Sequence, residues 1–379
     1  MTKKQQNNSI DSICSVALLL VGGSGKKFWP FSNKEESEPF VLLLNEQTLY
    51  QMTYGAINKI FPTDDIWIVI NEKYKHLAME QIPELNERSI ITEPLSRHTA
   101  PGVGLAMALL DSKYSDDCVF CIFPCDQVVR NMQEFDDAVS IACKAAHQLR
   151  GLITIGVPPT RPEINYGYIQ YCEDVNDPAN TNVSHLLYTG GLRKSINFAE
   201  KPDITTAERF IQSGDFVWNS GILVARKDVL FEMFEKYLNY HYEQFRYLQQ
   251  MIGSTIYKEE LLRLYKTFNK ISLDYGILEN AENVYVVKAD FTWSDLNDWK
   301  ELYNISLKDA LDNVFSGNIV SLDTKNSLAI SEDKLLAIVG MDDVVVVNTD
   351  KAILVCKKDD AYRIPSLIDQ MKKRNIPVY

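Results

Sequence analysis

Residues 16–32 read Val16-Ala17-Leu18-Leu19-Leu20-Val21-Gly22-Gly23-Ser24-Gly25-Lys26-Lys27-Phe28-Trp29-Pro30-Phe31-Ser32. An apolar, partly β-branched run that empties straight into glycines predicts a buried strand ending in exposed backbone amides, and such amides hold phosphate. Trp29-Pro30 then closes the loop with a rigid, bulky pair that few glycine loops carry. A nucleotide is the first ligand these residues suggest. The loop is neither the dinucleotide pattern nor a P-loop with its GK[ST] ending, and a plain tight strand-to-helix turn would use the same glycines.

Outward from this stretch, apolar runs recur at Ile66 to Ile70, Cys118 to Phe123 and Leu152 to Val157, with amphipathic segments at Leu49 to Ile60 and Phe135 to Leu149 between them. That alternation predicts an α/β fold, a mostly parallel sheet covered by helices on both faces. Ligands of such sheets sit at the carboxyl ends of the strands, where both Gly22 to Gly25 and Pro124-Cys125-Asp126 fall. A long helical region is expected from Lys227 to about Phe268, its aromatics and leucines serving core and helix faces. After Asp312, turn signals such as Gly317-Asn318, Asn326-Ser327, Gly340 and Asp342-Asp343 separate short β-rich pieces. They predict a small, separate β domain, a solenoid of few rungs, and then a terminal helix from Ile364 to Arg374.

The 379 residues are 46% hydrophobic and 24% charged, the composition of a folded globular protein. A formal net charge of -12 argues against a nucleic-acid partner, which needs a basic footprint, so an anionic substrate must be met by local cations. No apolar run approaches the roughly 20 residues that cross a bilayer. Lys3 and Lys4 precede an apolar segment, but it runs into the glycine loop without a small-residue cleavage pattern, so no signal peptide is expected and a cytoplasmic location is. Of the seven cysteines, Cys118, Cys121 and Cys125 cluster. Strand alternation separates Cys118 from Cys121 and no second pair follows, so buried, reduced thiols are expected rather than a metal site.

Four further segments can carry chemistry. Asp126 ends a buried strand after a proline, where it would either coordinate a divalent cation or cap the next helix. Asp295, in Phe291-Thr292-Trp293-Ser294-Asp295, is a second carboxylate, and two acids at one sheet edge would suit magnesium. The competing role is a cap on a helix starting at Leu296, with Trp293 and Trp299 in the core. Lys201, between Glu200 and Pro202, would neutralise a sugar phosphate or simply be solvated. Trp218-Asn219-Ser220-Gly221 supplies an indole for a sugar face and an amide for hydroxyls, or a strand start with a packed tryptophan.

Taken together, these pieces resemble the mannose-1-phosphate guanylyltransferases, within the sugar nucleotidyltransferases. The family's first signature, roughly GGxGxRLWPxSxxxxPKQF, reads here Gly22-Gly23-Ser24-Gly25-Lys26-Lys27-Phe28-Trp29-Pro30-Phe31-Ser32, then five residues to Glu38-Pro39-Phe40. Further matches follow in order: Glu93-Pro94 with Arg97-His98-Thr99-Ala100-Pro101, Pro124-Cys125-Asp126, Arg161-Pro162-Glu163 leading into Tyr166-Gly167-Tyr168-Ile169, Glu200-Lys201-Pro202, Trp218-Asn219-Ser220-Gly221 and Trp293-Ser294-Asp295. The resemblance implies a nucleotide-diphospho-sugar transferase fold, a Rossmann-like, GT-A type mixed sheet with flanking helices, plus a small C-terminal left-handed β-helix-like domain. The implied division is a flexible N-terminus at 1–12, the catalytic domain at 13–305 and the β-helix-like domain with its terminal helix at 306–379. The implied reaction joins GTP and α-mannose 1-phosphate into GDP-mannose and pyrophosphate with Mg2+. By the same resemblance, Gly22, Gly23, Ser24, Gly25, Lys26 and Lys27 would face the triphosphate, and Glu93, Arg97 and His98 the nucleoside. Asp126 and Asp295 would hold magnesium, and Gly167, Glu200, Lys201 and Asn219 would line the sugar-phosphate pocket. The catalytic set implied is Lys27, Asp126, Asp295 and Lys201. Longer members add an isomerase domain after the tail, and this chain ends before one would fit, so isomerase activity is not expected.

The chain departs from the signature at Glu38 for lysine, Ser37 for proline and Lys27 for arginine. It also carries His98 for asparagine, Gln127 for histidine, Asn165 for glycine and Asn297 for glycine. An anion in place of a cation about 6 Å from a phosphate charge would swing the interaction by roughly 5 kcal/mol at an effective dielectric of 20. Alternatives therefore stand beside the implied activity: a weakly active or non-catalytic regulatory homologue that binds nucleotide sugar, alone as a homodimer or beside an active paralogue, or a transferase with another base or sugar.

Overall fold

Strand β1 (Ser15–Val21) carries the opening run, with Val16 and Leu18 facing one side of the sheet and Ala17, Leu19 and Val21 the other, all buried. A run apolar on both faces suits only a strand covered twice, and the computed structural model, which describes residues 13–43, 46–291 and 293–377, shows two helical layers. The segment expected to be flexible, 1–12, lies outside the described residues. β2 (Ile66–Asn71), β3 (Ile90–Glu93) and β4 (Val119–Pro124) complete a parallel half in the order β3-β2-β1-β4. Helices Thr99–Leu110, Lys227–Tyr237, Asn239–Gln249 and Tyr257–Thr267 pack on the Val16 face, and Leu49–Ile57, Lys75–Gln81 and Met132–Leu149 on the Ala17 face. The expected helical region is thus three helices, broken at Leu238 and around Gly253, whose φ is +83°.

After β4 come β5 (Gln127–Val129), β6 (Leu152–Val157), β7 (Gly167–Tyr171), β8 (Leu192–Glu200), β9 (Phe216–Arg226), β10 (Val284–Lys288) and β11 (Trp293–Asp295). The nine-stranded sheet continues from β4 as β9-β6-β10-β8-β7, and β9 runs antiparallel to β4, β6 and β7. The sheet is therefore mixed, where a mostly parallel one was read from the apolar runs. β8 is mostly half-buried and polar, so the criterion of continuous apolarity passes over it. β5 and β11 form a separate two-stranded ribbon with Asp295 opposite Gln127.

The tail holds β12 (Val314–Leu322), β13 (Leu328–Val339) and β14 (Val344–Asn348), paired in parallel, with β15 (Ile353–Lys357) antiparallel at the edge and helix Ile364–Lys373 after it. It is not a separate body. Leu328, Val345, Leu354 and Ile364 share one hydrophobic cluster with Phe28 and Trp29 of the glycine loop and with Leu296 and Trp299. Trp299 is fully buried, its ring 5.1 Å from that of Phe28, and its indole N–H donates to the Trp29 carbonyl at 3.1 Å.

The expectation of reduced thiols fails at Cys118, which is disulfide-bonded to Cys14. The two cysteines immediately precede neighbouring parallel strands in register, Ser15 opposite Val119, which brings their Cα atoms to 4.7 Å. Cys121, Cys125, Cys143 and Cys172 are buried and free. Among the described residues no helix is long and apolar enough to cross a membrane.

Candidate active site

The glycine loop leaves β1 at Val21 with Gly22, Gly23 and Ser24 exposed. Gly25 has φ +67° and packs its α-carbon against the Asn33 carbonyl, a place no side chain would fit. Gly25, Lys26 and Lys27 turn their backbone N–H groups inward, and the buried carboxylate of Glu38 accepts all three, at 2.9, 2.9 and 3.0 Å. Ser24 Oγ adds a fourth bond at 3.2 Å. Glu38 sits on a short 3-10 turn, Glu38–Phe40, between buried Ser37 and Pro39.

Lys27 Nζ lies 3.2 Å from Asp126 Oδ2 and donates to Asn297 Oδ1 at 2.9 Å, and Asn297 Nδ2 donates to Asp295 Oδ2 at 2.7 Å. Burial works against the charged ammonium, but the carboxylates of Asp126, Asp295 and Glu38 outweigh it and hold the Lys27 pKa above the ordinary value. Asp295 Oδ1 is buried without a partner. Its carboxyl is pushed up by burial and by the neighbouring Asp126 charge, against the pull of Lys27.

Neither acid serves as a helix cap. Helix Trp299–Ile305 takes its cap from Asp298, whose side chain accepts from Glu301 N at 2.9 Å, and Asp126 leads into β5. β5 pairs with β11, and the Leu296 amide donates to the Asp126 carbonyl at 2.9 Å, so the ribbon delivers both aspartates, remote in sequence, to the wall of one cavity.

That cavity, of about 170 Å³, is also lined by Gly167, Glu200, Lys201 and Asn219. Gly167 faces Glu200 across β7 and β8, and a side chain there would crowd the Glu200 carboxylate. Lys201 is held at φ +49° with its ammonium 3.0 Å from Glu200 Oε1, a left-handed conformation unusual for lysine. Asn219 accepts from Thr154 Oγ1 at 2.9 Å and from Gly221 N at 3.1 Å, and donates to Asp274 Oδ1 at 2.9 Å. Asp274, from the turn Asp274–Leu278, escapes a reading of the sequence, although burial, then Glu200, pushes its carboxyl up to about 6. Of the two roles open to Trp218, a sugar face or a packed strand residue, the structure shows the second: it packs edge-on to Tyr166 at 5.1 Å with its indole buried, and Trp293 lines the cavity.

A second cavity, of about 480 Å³, is lined by Gly22, Gly23, Ser24, Lys27, Glu93, Arg97 and His98, with Lys270 as a cation the sequence did not single out. Glu93 ends β3 with Oε1 buried and unpartnered, and burial pushes its carboxyl up to about 7 against a hydrogen bond from Tyr265. Arg97 Nε donates to the Tyr265 carbonyl at 2.8 Å, and His98 sits at φ +64° before helix Thr99–Leu110. Lys26, expected beside the nucleotide, turns its ammonium away to Asp369 Oδ1 at 2.6 Å on the terminal helix. The two cavities share Leu20, Thr99, Pro124 and Asp126.

Comparison with known proteins agrees with this architecture. A family profile described as nucleotidyl transferase matches residues 16–311, and one described as a mannose-phosphate isomerase/GMP-like β-helix domain matches 317–371. The chain is 28% identical to a mannose-1-phosphate guanylyltransferase of Escherichia coli, over 94% of this chain and 75% of that protein. It is 30% identical to mannose-1-phosphate guanylyltransferase 2 of Escherichia coli O157:H7 (94% and 73%), and 32% identical to the xanthan biosynthesis protein XanB of Xanthomonas campestris pv. campestris strain B100 (94% and 73%). Among solved structures, one described as mannose-1-phosphate geranyltransferase from Thermus thermophilus superposes with a TM-score of 0.82 at 27% identity, covering 95% of this chain and all of that one. The likeness extends over nearly the whole length, through both the nucleotidyl transferase part and the β-helix-like tail, and this chain belongs to the mannose-1-phosphate guanylyltransferase family of nucleotidyl transferases.

Proposed function

We propose that this chain transfers a guanylyl group from GTP to α-D-mannose 1-phosphate, forming GDP-mannose and pyrophosphate. The observation that carries the reading is the meeting of Asp126, Lys27 and Asp295 where the nucleoside-side and sugar-side cavities adjoin. A phosphate oxygen of the sugar phosphate attacks the α-phosphorus of GTP. As that P–O bond forms, the bond from the α-phosphorus to the bridging oxygen of the β-phosphate breaks, and its electron pair leaves with pyrophosphate. No covalent intermediate with the protein is needed, so the residues act by positioning and by offsetting charge.

Gly167, Glu200, Lys201 and Asn219 would seat the sugar phosphate, Lys201 offsetting its charge, while Asp274 fixes the Asn219 amide. Glu93, Arg97 and His98 line the nucleoside side, and Gly22 to Gly25 with Lys26 and Lys27 form the phosphate loop. The unpartnered Asp295 Oδ1 beside Asp126 fits a hard divalent ion, which accepts one or two carboxylates and completes its shell with water and phosphate oxygens. Mg2+ held by Asp126 and Asp295 would screen the phosphates and favour in-line attack.

A second reading is favoured by Glu38: its carboxylate fills the amides meant for a phosphate, which supports a slow or non-catalytic homologue that retains nucleotide-sugar binding. One experiment separates them. Pyrophosphate release is measured with Mg2+, each nucleoside triphosphate and several hexose 1-phosphates. Release with GTP and mannose 1-phosphate, lowered about 100-fold or more in Asp126→Asn and Asp295→Asn, supports transfer. Binding of nucleotide sugar without release supports the second reading, and release with no dependence on either aspartate overturns the site.

A further inference from the structure

The sequence suggests that Glu38, standing where the signature has lysine, repels a bound phosphate. The structure gives it another position. Its carboxylate lies inside the loop as the acceptor of three successive backbone N–H groups and the Ser24 hydroxyl. Converging amides of this kind form a nest for an anion, and the nest here already holds one supplied by the chain itself. The turn that presents it is fixed at its base, where the Phe40 amide donates to the Ser37 carbonyl at 3.0 Å, and the carboxylate rests directly against Gly23.

We propose that Glu38 is an intramolecular stand-in for phosphate that selects the ligand: the site takes a nucleoside diphosphate sugar with Glu38 in place, whereas a nucleoside triphosphate, or free pyrophosphate, must first expel it. The inference rests on the nucleotidyltransferase reading of the two cavities. A nucleoside diphosphate sugar runs from one cavity to the other across their shared wall at Leu20, Thr99, Pro124 and Asp126, and places no anion in the nest. The outer phosphates of a triphosphate have to be received at the glycine loop, where they meet a carboxylate already holding the donors they need. The same conflict confronts pyrophosphate. Lys27 ties the two states together, because its amide serves Glu38 while its ammonium serves Asp126.

Isothermal titration of the full chain in Mg2+ with GDP-mannose, GDP, GTP and pyrophosphate tests this, using the wild type and Glu38→Ala. Wild-type protein should bind GDP-mannose about tenfold or more tighter than GTP, and GTP no tighter than GDP. Glu38→Ala should bind GTP and pyrophosphate about tenfold tighter than wild type, with GDP-mannose unchanged within about twofold. The proposal is overturned if the wild type binds GTP about tenfold tighter than GDP, or if Glu38→Ala leaves the GTP affinity unchanged while GDP-mannose still binds. The wild-type comparison needs no substitution, so an unstable variant does not shelter the idea. If no nucleotide binds to either protein, the nucleotidyltransferase reading itself falls and takes this inference with it.

Discussion

Glu38 accepts from three backbone amides at once, so its removal costs more than one ordinary hydrogen bond. Glu38→Ala should lose roughly 2–3 kcal/mol, read as a lower urea midpoint at unchanged slope, and added pyrophosphate should restore much of it. Glu93 is the opposite case. Its carboxyl is raised by burial from 4.5 to about 7, so the folded state holds a proton that the unfolded chain releases. Stability therefore falls as pH rises from about 4.5 and the full cost, on the order of 3 kcal/mol, is present above about 7. Glu93→Gln should gain on the wild type more at pH 8 than at pH 5 in thermal melts, by roughly 2 °C or more, while binding GDP-mannose less well. An equal offset at both pH values would falsify that assignment. Asp126 and Asp295 were legible as a pair only through the family resemblance, because spacing alone suits a helix cap equally well. Asp274 was illegible for a physical reason: a lone acid between Leu273 and Tyr275 has no partner at a spacing that points to a site, and only the packing of its turn brings it to Asn219 beside the cavity.

Elements differ in how openly the chain declares them. β1, β2, β4 and β6 are apolar on both faces, and their runs stand out at once. β8 is not, since it lies partly in solvent and owes its place to pairing with β7 and β10. Gly167 shows what that pairing achieves. At the start of β7, opposite Glu200, it leaves room for a carboxylate where any side chain would crowd it. Gly167→Ala should raise KM for mannose 1-phosphate about tenfold with GTP affinity unchanged, in steady-state kinetics or by titration of sugar phosphate. On the ribbon of β5 and β11, Asp298 caps the following helix and so leaves Asp295 to the cavity. Asp298→Ala should cost about 1 kcal/mol of stability in urea denaturation.

The molecule as a whole is knit at the glycine loop. Phe28 and Trp29, Trp299 and the tail residues Leu328, Val345 and Ile364 share one core, which the turn-rich texture after Asp312 did not disclose, because turns report where strands end and not what they cover. Trp299→Ala should cost about 3–5 kcal/mol and weaken nucleotide binding as well, since the loop loses its support. Thermal unfolding followed by tryptophan fluorescence and by far-ultraviolet circular dichroism should give coincident transitions; a tail that melts first would contradict a shared core.

Lys26 of that loop reaches across 343 positions to Asp369 on the last helix. A nascent chain emerges from the ribosome N-terminus first, so the loop is synthesised long before the surface that supports it. The support of the loop is therefore completed only after the tail has been made, and a polypeptide released before Asp369 carries the loop without its buttress.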